Sequence, residues 1–313
     1  MLAAHLGEPI RNFGVGGYSL YQAFLRMKRE ESQVPARFLV VNIYDDDHYR
    51  SLVGWQRAKY GSGILGPPLP YVTANRTRKD FREHRNPCPE SKDLYDLCNL
   101  DWTYERFKDD FCLRIMLAKT NVEKGAPSDS YRDIEDLAAE HGMRTRIATP
   151  RKLLEIANEL YTDSAIYSSE RIVEKTVEFA SDHGKKVLFI ASYGAASVAN
   201  RIRPGHGIKV PETRKPGSEF NQDFANFMKK SPPYVDLMDE HMRDFSRRRV
   251  SLSGYLKEYY VTPITPYTHY SPLGNHFTAF AAKDKLVYML DPKPISYRPV
   301  VSSDSRVDCV NLV

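Results

Sequence analysis

Apolar residues collect in four short runs along the chain, each followed by a break. Residues 9–13 (PIRNF) lead into the glycine cluster GVGG. Residues 36–44 (ARFLVVNIY) form a β-branched and aromatic run closed by three aspartates. Residues 185–192 (KKVLFIAS) and 234–238 (YVDLM) complete the set. Uninterrupted apolar runs of this length predict strands of a parallel sheet covered on both faces. Helical spacing fills the intervals. Leu20, Phe24 and Met27 follow Ser19, a plausible cap. Ile172, Val173, Thr176, Phe179 and Ala180 predict a helix over 169–183 that starts at Ser168 or Ser169 and ends at Gly184. The resulting order, β-α-β-insertion-α-β-α-β-α, predicts a doubly wound α/β fold.

Residues 54–150 break this rhythm. They are rich in Pro, Arg, Asp and Tyr and carry irregular segments such as HRNPCPES. One convincing helix is expected there, over 103–119, with Phe107, Phe111, Leu113 and Met116 as a partial stripe. The segment reads as an insertion or lid within one domain spanning 1–313. Residues 201–218, basic and punctuated by Gly and Pro, read as a mobile loop. No internal repeat or low-complexity tract is visible.

Composition narrows the classes. A chain of 313 residues, 42% hydrophobic, can bury a sizeable core. The net charge is only +5, and runs such as Arg247, Arg248, Arg249 alternate with acids. They read as solvated faces, so no nucleic-acid partner is expected; a nucleic-acid-associated protein is a third, weaker reading that only the pI of 8.8 motivates. No run approaches the roughly 18 apolar residues of a membrane span. The start, MLAAHLGEP, has no basic region and no long apolar run, so no signal peptide is visible. Cys88, Cys98, Cys112 and Cys309 lack C-x-x-C spacing and read as scattered thiols, not zinc ligands, even with His84 near Cys88. Reduced thiols suit the cytoplasm, but a missing leader would look identical, so the compartment stays open.

Three stations could carry chemistry. Gly14, Gly16 and Gly17 suggest a dinucleotide turn, but the next required glycine position holds Ser19. The acids Asp45 to Asp47 lie nearer thirty than twenty residues on, so no nucleotide cofactor is expected. Such a cluster is either a tight strand-to-helix turn or a backbone N–H aimed at an oxyanion. In NIYDDDHYRSL, residues 42–52, a triple aspartate at the end of a buried strand is costly unless solvated, capping or functional. Asp45, Asp47 and His48 could supply metal ligands, but one strand end without a second cluster is thin support, and no metal is expected. In YTHYSPLGNHFTAFAAKDKL, residues 267–286, His269 sits in a loop before a helix that starts near Ser271-Pro272.

In order and strand placement the three stations resemble the SGNH (GDSL-like) hydrolase superfamily, esterases and acyl-carbohydrate hydrolases. NFGVGGYSLYQ is similar to that family's second block, FLVVNIYDDDHYR to its third and THYSPLGNHFTAFA to its fifth. The resemblance implies a flavodoxin-like three-layer α/β/α sandwich with a parallel sheet, plus the irregular insertion. It implies serine acyl transfer on an ester or O-acylated carbohydrate, with no cofactor. Gly17 would donate its N–H to the oxyanion. Asp46 stands where the family has an asparagine donor, and His269 stands at the general base.

The chain departs from that pattern at four points. An ionised Asp46 accepts hydrogen bonds and cannot donate one. Tyr267 occupies the place of the acid that orients the histidine, and His276 is a weaker base candidate. Ser19, at a helix start, reads as a cap and not as a nucleophile. The family's Gly-Asp-Ser strand has no counterpart; it would precede Met1, and MLAAHLG is similar to the helix that follows it. The expectation is therefore a truncated hydrolase, inactive as given, with a non-catalytic SGNH-fold binding or assembly protein for acylated glycans as the alternative.

Overall fold

The run FLVVNIY is extended because β-branched and aromatic side chains suit a pleated surface. In the computed structural model, which describes residues 2–7, 9–56, 66–204, 221–230, 233–261 and 269–293, it becomes the first strand. In chain order the elements are α1 (Leu2–Leu6), α2 (Leu20–Gln33), β1 (Phe38–Tyr44), α3 (Asp47–Arg50), β2 (Tyr71–Asn75), β3 (Asp80–His84), α4 (Asp93–Asp96), α5 (Leu100–Phe107), α6 (Phe111–Glu123), α7 (Pro127–Glu140) and α8 (Pro150–Asp182). They continue with β4 (Lys186–Ser192), α9 (Ala195–Ile202), α10 (Gln222–Lys229), β5 (Tyr234–Asp236), α11 (Leu237–Arg247), α12 (Leu252–Tyr259) and α13 (Pro272–Met289). The chain is mixed α/β and mostly helical, with a small parallel sheet.

Contacts divide it into two units. The first takes in 1–13, 31–45 and 176–313, and the second 14–30 and 46–175. The segment 54–150 lies wholly inside the second unit.

The first unit is built on a parallel sheet in the order β1-β4-β5. Phe38 faces Lys186 and Tyr44 faces Ser192; Phe189 faces Tyr234 and Ala191 faces Asp236. The central strand β4 is buried from Val187 to Ser192, as its unbroken apolar run requires. β1 is less covered: Leu39 and Ile43 are buried, while Val40 is 41% exposed. Helix α13 packs on α12, β4 and β5. It starts where expected, with Ser271 accepting from the Gly274 N–H and Pro272 in its first turn. Gly274 has no room for a side chain. A Cβ there would stand 2.1 Å from the Tyr259 carbonyl oxygen and 2.6 Å from the Tyr270 ring. A buried ion pair, Lys185 to Glu31 at 2.7 Å, fixes the strand entry, and both side chains also bind the Ala36 backbone.

In the second unit β2 and β3 form an antiparallel hairpin, Tyr71 facing His84 and Asn75 facing Asp80. Helix α6 packs on α7. Arg76 holds Asp163 at 2.9 Å and Glu170 at 2.7 Å.

Three local expectations are corrected. Residues 9–13 form no strand: Arg11 and Asn12 interrupt the run, and Ile10 and Phe13 are 44% and 38% exposed. The helix expected over 103–119 is two helices, because Asp110 caps α6 by accepting from the Leu113 N–H at 2.7 Å. Ser168 and Ser169 do not start a helix. They lie buried within α8, with their hydroxyls bonded to the Ala165 carbonyl, and α8 begins at Pro150. Residues 205–218 of the basic loop lie outside the described residues.

Candidate functional site

In a parallel sheet the carboxyl ends of the strands share one edge, where α/β proteins place their sites. Here that edge carries Asp45 after β1, Tyr193 and Gly194 after β4, and Asp236 at the end of β5. Asp45 Oδ2 accepts from the Ser197 hydroxyl at 2.7 Å and from the Gly194 N–H at 3.1 Å. Asp236 accepts from the Tyr234 hydroxyl at 2.7 Å and, as the cap of α11, from the Met238 N–H at 2.9 Å. Burial pushes the Asp236 carboxyl up from the usual carboxylate range, against the hydrogen bonds from Tyr234, Met238 and Tyr193. Burial also raises the Tyr193 and Tyr234 phenols, and the neighbouring Asp236 charge adds to it. These phenols therefore stay protonated and donate.

Behind this edge lies His241, with no exposed surface. Its Nδ1 is 2.9 Å from the Tyr255 hydroxyl, and its Nε2 is 3.1 Å from Tyr270 and 3.3 Å from Tyr260. Tyr255 gives its proton to the His241 carbonyl and Tyr260 gives its own to the Tyr193 carbonyl. That bookkeeping assigns the imidazole proton to Nδ1 and leaves Nε2 to accept from Tyr270. Phe277 stacks 4.6 Å from the imidazole. Burial pushes the His241 pKa down to about 3, so the ring is neutral across the physiological range. The result is a buried floor of phenols, carboxylates and one imidazole at the strand ends, hydrogen-bonded to one another and to the backbone.

The residues expected to be catalytic divide between the units: Gly17 and Asp46 belong to the second and His269 to the first. Gly17 is exposed, in a turn over 15–18 closed by the Tyr18 N–H on the Val15 carbonyl. Its φ of +81° is the left-handed value that such a turn demands of its third residue. Its carbonyl accepts from Gln56 Nε2 at 2.6 Å. Asp46 is 2% exposed and paired to Arg50 at 2.5 Å, an acceptor by geometry. His269 is exposed, its carbonyl accepting from the Val261 N–H at 3.0 Å. The adjacent residue, Tyr270, puts its hydroxyl on His241. Tyr267 lies outside the described residues, and His276 is buried within α13.

Ser19 is a cap, as expected. Its hydroxyl accepts from the Gln22 N–H, and Gln22 Oε1 accepts from the Ser19 N–H at 2.8 Å, a reciprocal capping box. The three candidate metal ligands are committed separately: Asp45 to Ser197 and Gly194, Asp47 to Arg50 at 3.5 Å, and His48 to Ser169. Among the described residues no group of three or more His, Cys, Asp or Glu is placed to hold a metal ion. Among the described residues Cys88, Cys98 and Cys112 form no disulfide, and Cys309 lies outside the described residues.

His48 Nδ1 stands 2.7 Å from the Ser169 hydroxyl, the spacing of an activated nucleophile. Both residues are buried, Ser169 completely, and burial lowers the His48 pKa to about 4. The serine proton goes to the Ala165 carbonyl, so His48 donates its Nδ1–H to Ser169 and the pair is a buried structural hydrogen bond. Sequence reasoning missed the phenol and imidazole floor. Its one local signal was the spacing of Tyr255, Tyr259 and Tyr260, which places Tyr255 and Tyr259 on one helix face.

Compared with known proteins, the chain matches no family model, no curated protein and no solved structure. Among the described residues no helix is long and apolar enough to cross a membrane.

Proposed function

We propose that the chain is an SGNH-type α/β protein that engages ester or O-acyl groups, its substrates or ligands being small acyl esters or acylated carbohydrates, and that the residues present bind such a group without cleaving it. What supports the fold part is the strand order. The parallel run β1-β4-β5 matches strands three, four and five of the flavodoxin-like order 2-1-3-4-5, the core of a three-layer sandwich.

The observation that carries the binding reading is Asp46. The family pattern needs a side-chain N–H there to stabilise an oxyanion, and this chain has a buried carboxylate held by Arg50. Ser19, the serine nearest the glycine turn, is spent in a capping box.

A second reading, turnover by serine acyl transfer, is favoured by one feature. His269 is exposed and sits beside Tyr270, whose hydroxyl belongs to the strand-end floor. A general base is worth about 10²–10⁴ in rate, which makes the two readings separable. Hydrolysis of p-nitrophenyl acetate is measured for the protein and for His269→Ala. The expected result is the buffer rate for both. Turnover that His269→Ala lowers a hundredfold overturns the binding reading in favour of acyl transfer.

A further inference from the structure

Along β5, from Pro233 to Asp236, lies a cleft of about 380 Å³ whose free charged groups the acyl-group reading does not use. It is formed by β5, the last turn of α10, the first turns of α11 and Lys285 of α13. Its volume falls at the lower end of the roughly 300–1,000 Å³ of small-molecule sites. Its walls carry six charged side chains of both signs, and half of them are already engaged. Asp236 is satisfied by Tyr234 and Met238, and Glu240 is paired with Arg243 at 2.5 Å. Lys285 spends one N–H on the Tyr234 carbonyl and keeps two. Lys229 and Asp239 are exposed, and among the described residues neither side chain is in an ion pair.

The cleft therefore presents two ammonium groups, the remaining N–H groups of Arg243 and one carboxylate to a ligand, with Met228 and Pro233 as apolar wall. The complementary molecule carries two anionic groups and one ammonium on a short carbon chain. The geometry points to an α-amino dicarboxylic acid bound here, its carboxylates on Lys229 and Lys285 and its ammonium on Asp239. A dianion without an ammonium leaves Asp239 facing the ligand unpaired, and a diamine meets two lysines, so the arrangement discriminates by repulsion as well as attraction. This site does not depend on the acyl-group reading, and either can fail alone.

The test is titration calorimetry with L-glutamate as the probe, and glutarate and putrescine as controls. Saturable binding of glutamate is expected, with both controls at least tenfold weaker. Charge-assisted hydrogen bonds set the size of the effect, so Lys229→Met and Asp239→Asn should each weaken glutamate binding about tenfold or more. Both positions are exposed, and an unchanged circular dichroism spectrum confirms that the variants are folded. The proposal is overturned if glutamate shows no saturable heat up to about 10 mM, if both variants bind like the parent, or if glutarate binds as well as glutamate.

Discussion

Acid should unfold the first unit through His241, and the size of the effect follows from its burial. The imidazole has an ordinary pKa of 6.5 when the chain is unfolded and about 3 in the folded protein. Because the folded value is lowered, the unfolded chain binds the extra proton between those limits. His241 therefore imposes no penalty above pH 6.5 and costs more and more stability as the pH falls toward 3. At ~1.4 kcal/mol per pKa unit, the penalty reaches about 2 kcal/mol at pH 5, about 3 at pH 4 and about 5 in full. His48, lowered to about 4, acts in the same direction. The raised carboxyls oppose both: Asp236 in the first unit, and Asp110 in the second, where burial lifts the carboxyl to about 6 and its penalty is relieved as the pH falls from 6 toward 3.8. The parent's net slope mixes these groups, and a difference against one variant isolates His241. His241→Phe keeps an aromatic ring among Tyr255, Tyr260, Tyr270 and Phe277 and removes the titration. Urea unfolding at pH 7.5 and pH 5.0 gives the assay. The variant should lose stability at pH 7.5 by about 1–3 kcal/mol, because Tyr270 loses its acceptor. It should then lose about 2 kcal/mol less than the parent on going to pH 5. Equal pH dependence in the two proteins would refute the reasoning.

Three further outcomes follow from single contacts. Lys185→Met strands the Glu31 carboxylate in a buried site and should cost about 3–5 kcal/mol in urea unfolding, while the pair Lys185→Met with Glu31→Leu recovers part of that loss. Gly274→Ala forces a methyl onto the Tyr259 carbonyl and should cost about 3 kcal/mol; a change below ~1 kcal/mol would mean the backbone there gives way. Ser19→Ala removes half of the capping box and should lower stability by about 1 kcal/mol, read as a drop in thermal midpoint.

The strands that could be read from sequence were those whose apolar runs are dense. FLVVNIY and KVLFIAS need no tertiary information to be extended, and Ser271-Pro272 announces α13 by cap chemistry alone. The segment 9–13 misled because its two large apolar residues are separated by Arg11 and Asn12 and have no partner strand to cover them. The break at Asp110 was hidden because the apolar spacing of Phe107, Phe111 and Met116 continues across it, and only the cap geometry shows which residue ends the helix. Ser168 and Ser169 look like a start signal locally, but their hydroxyls bond back to the preceding turn and let α8 run on. The strand-end floor was least legible. Asp45, Tyr193, Asp236, His241 and Tyr270 are scattered over more than two hundred residues, and only the pairing of β1, β4 and β5 brings the first three to one edge.

The binding reading makes one demand that a hydrolase or an unrelated fold does not share: recognition of an acyl group without turnover. Titration of the protein with an O-acetylated xylo-oligosaccharide, beside the same oligosaccharide after chemical deacetylation, tests it directly. The account predicts saturable binding of the acetylated sugar, at least tenfold weaker binding of the deacetylated one, and no release of acetate. Equal affinity for the two sugars, or no binding of either, would contradict it.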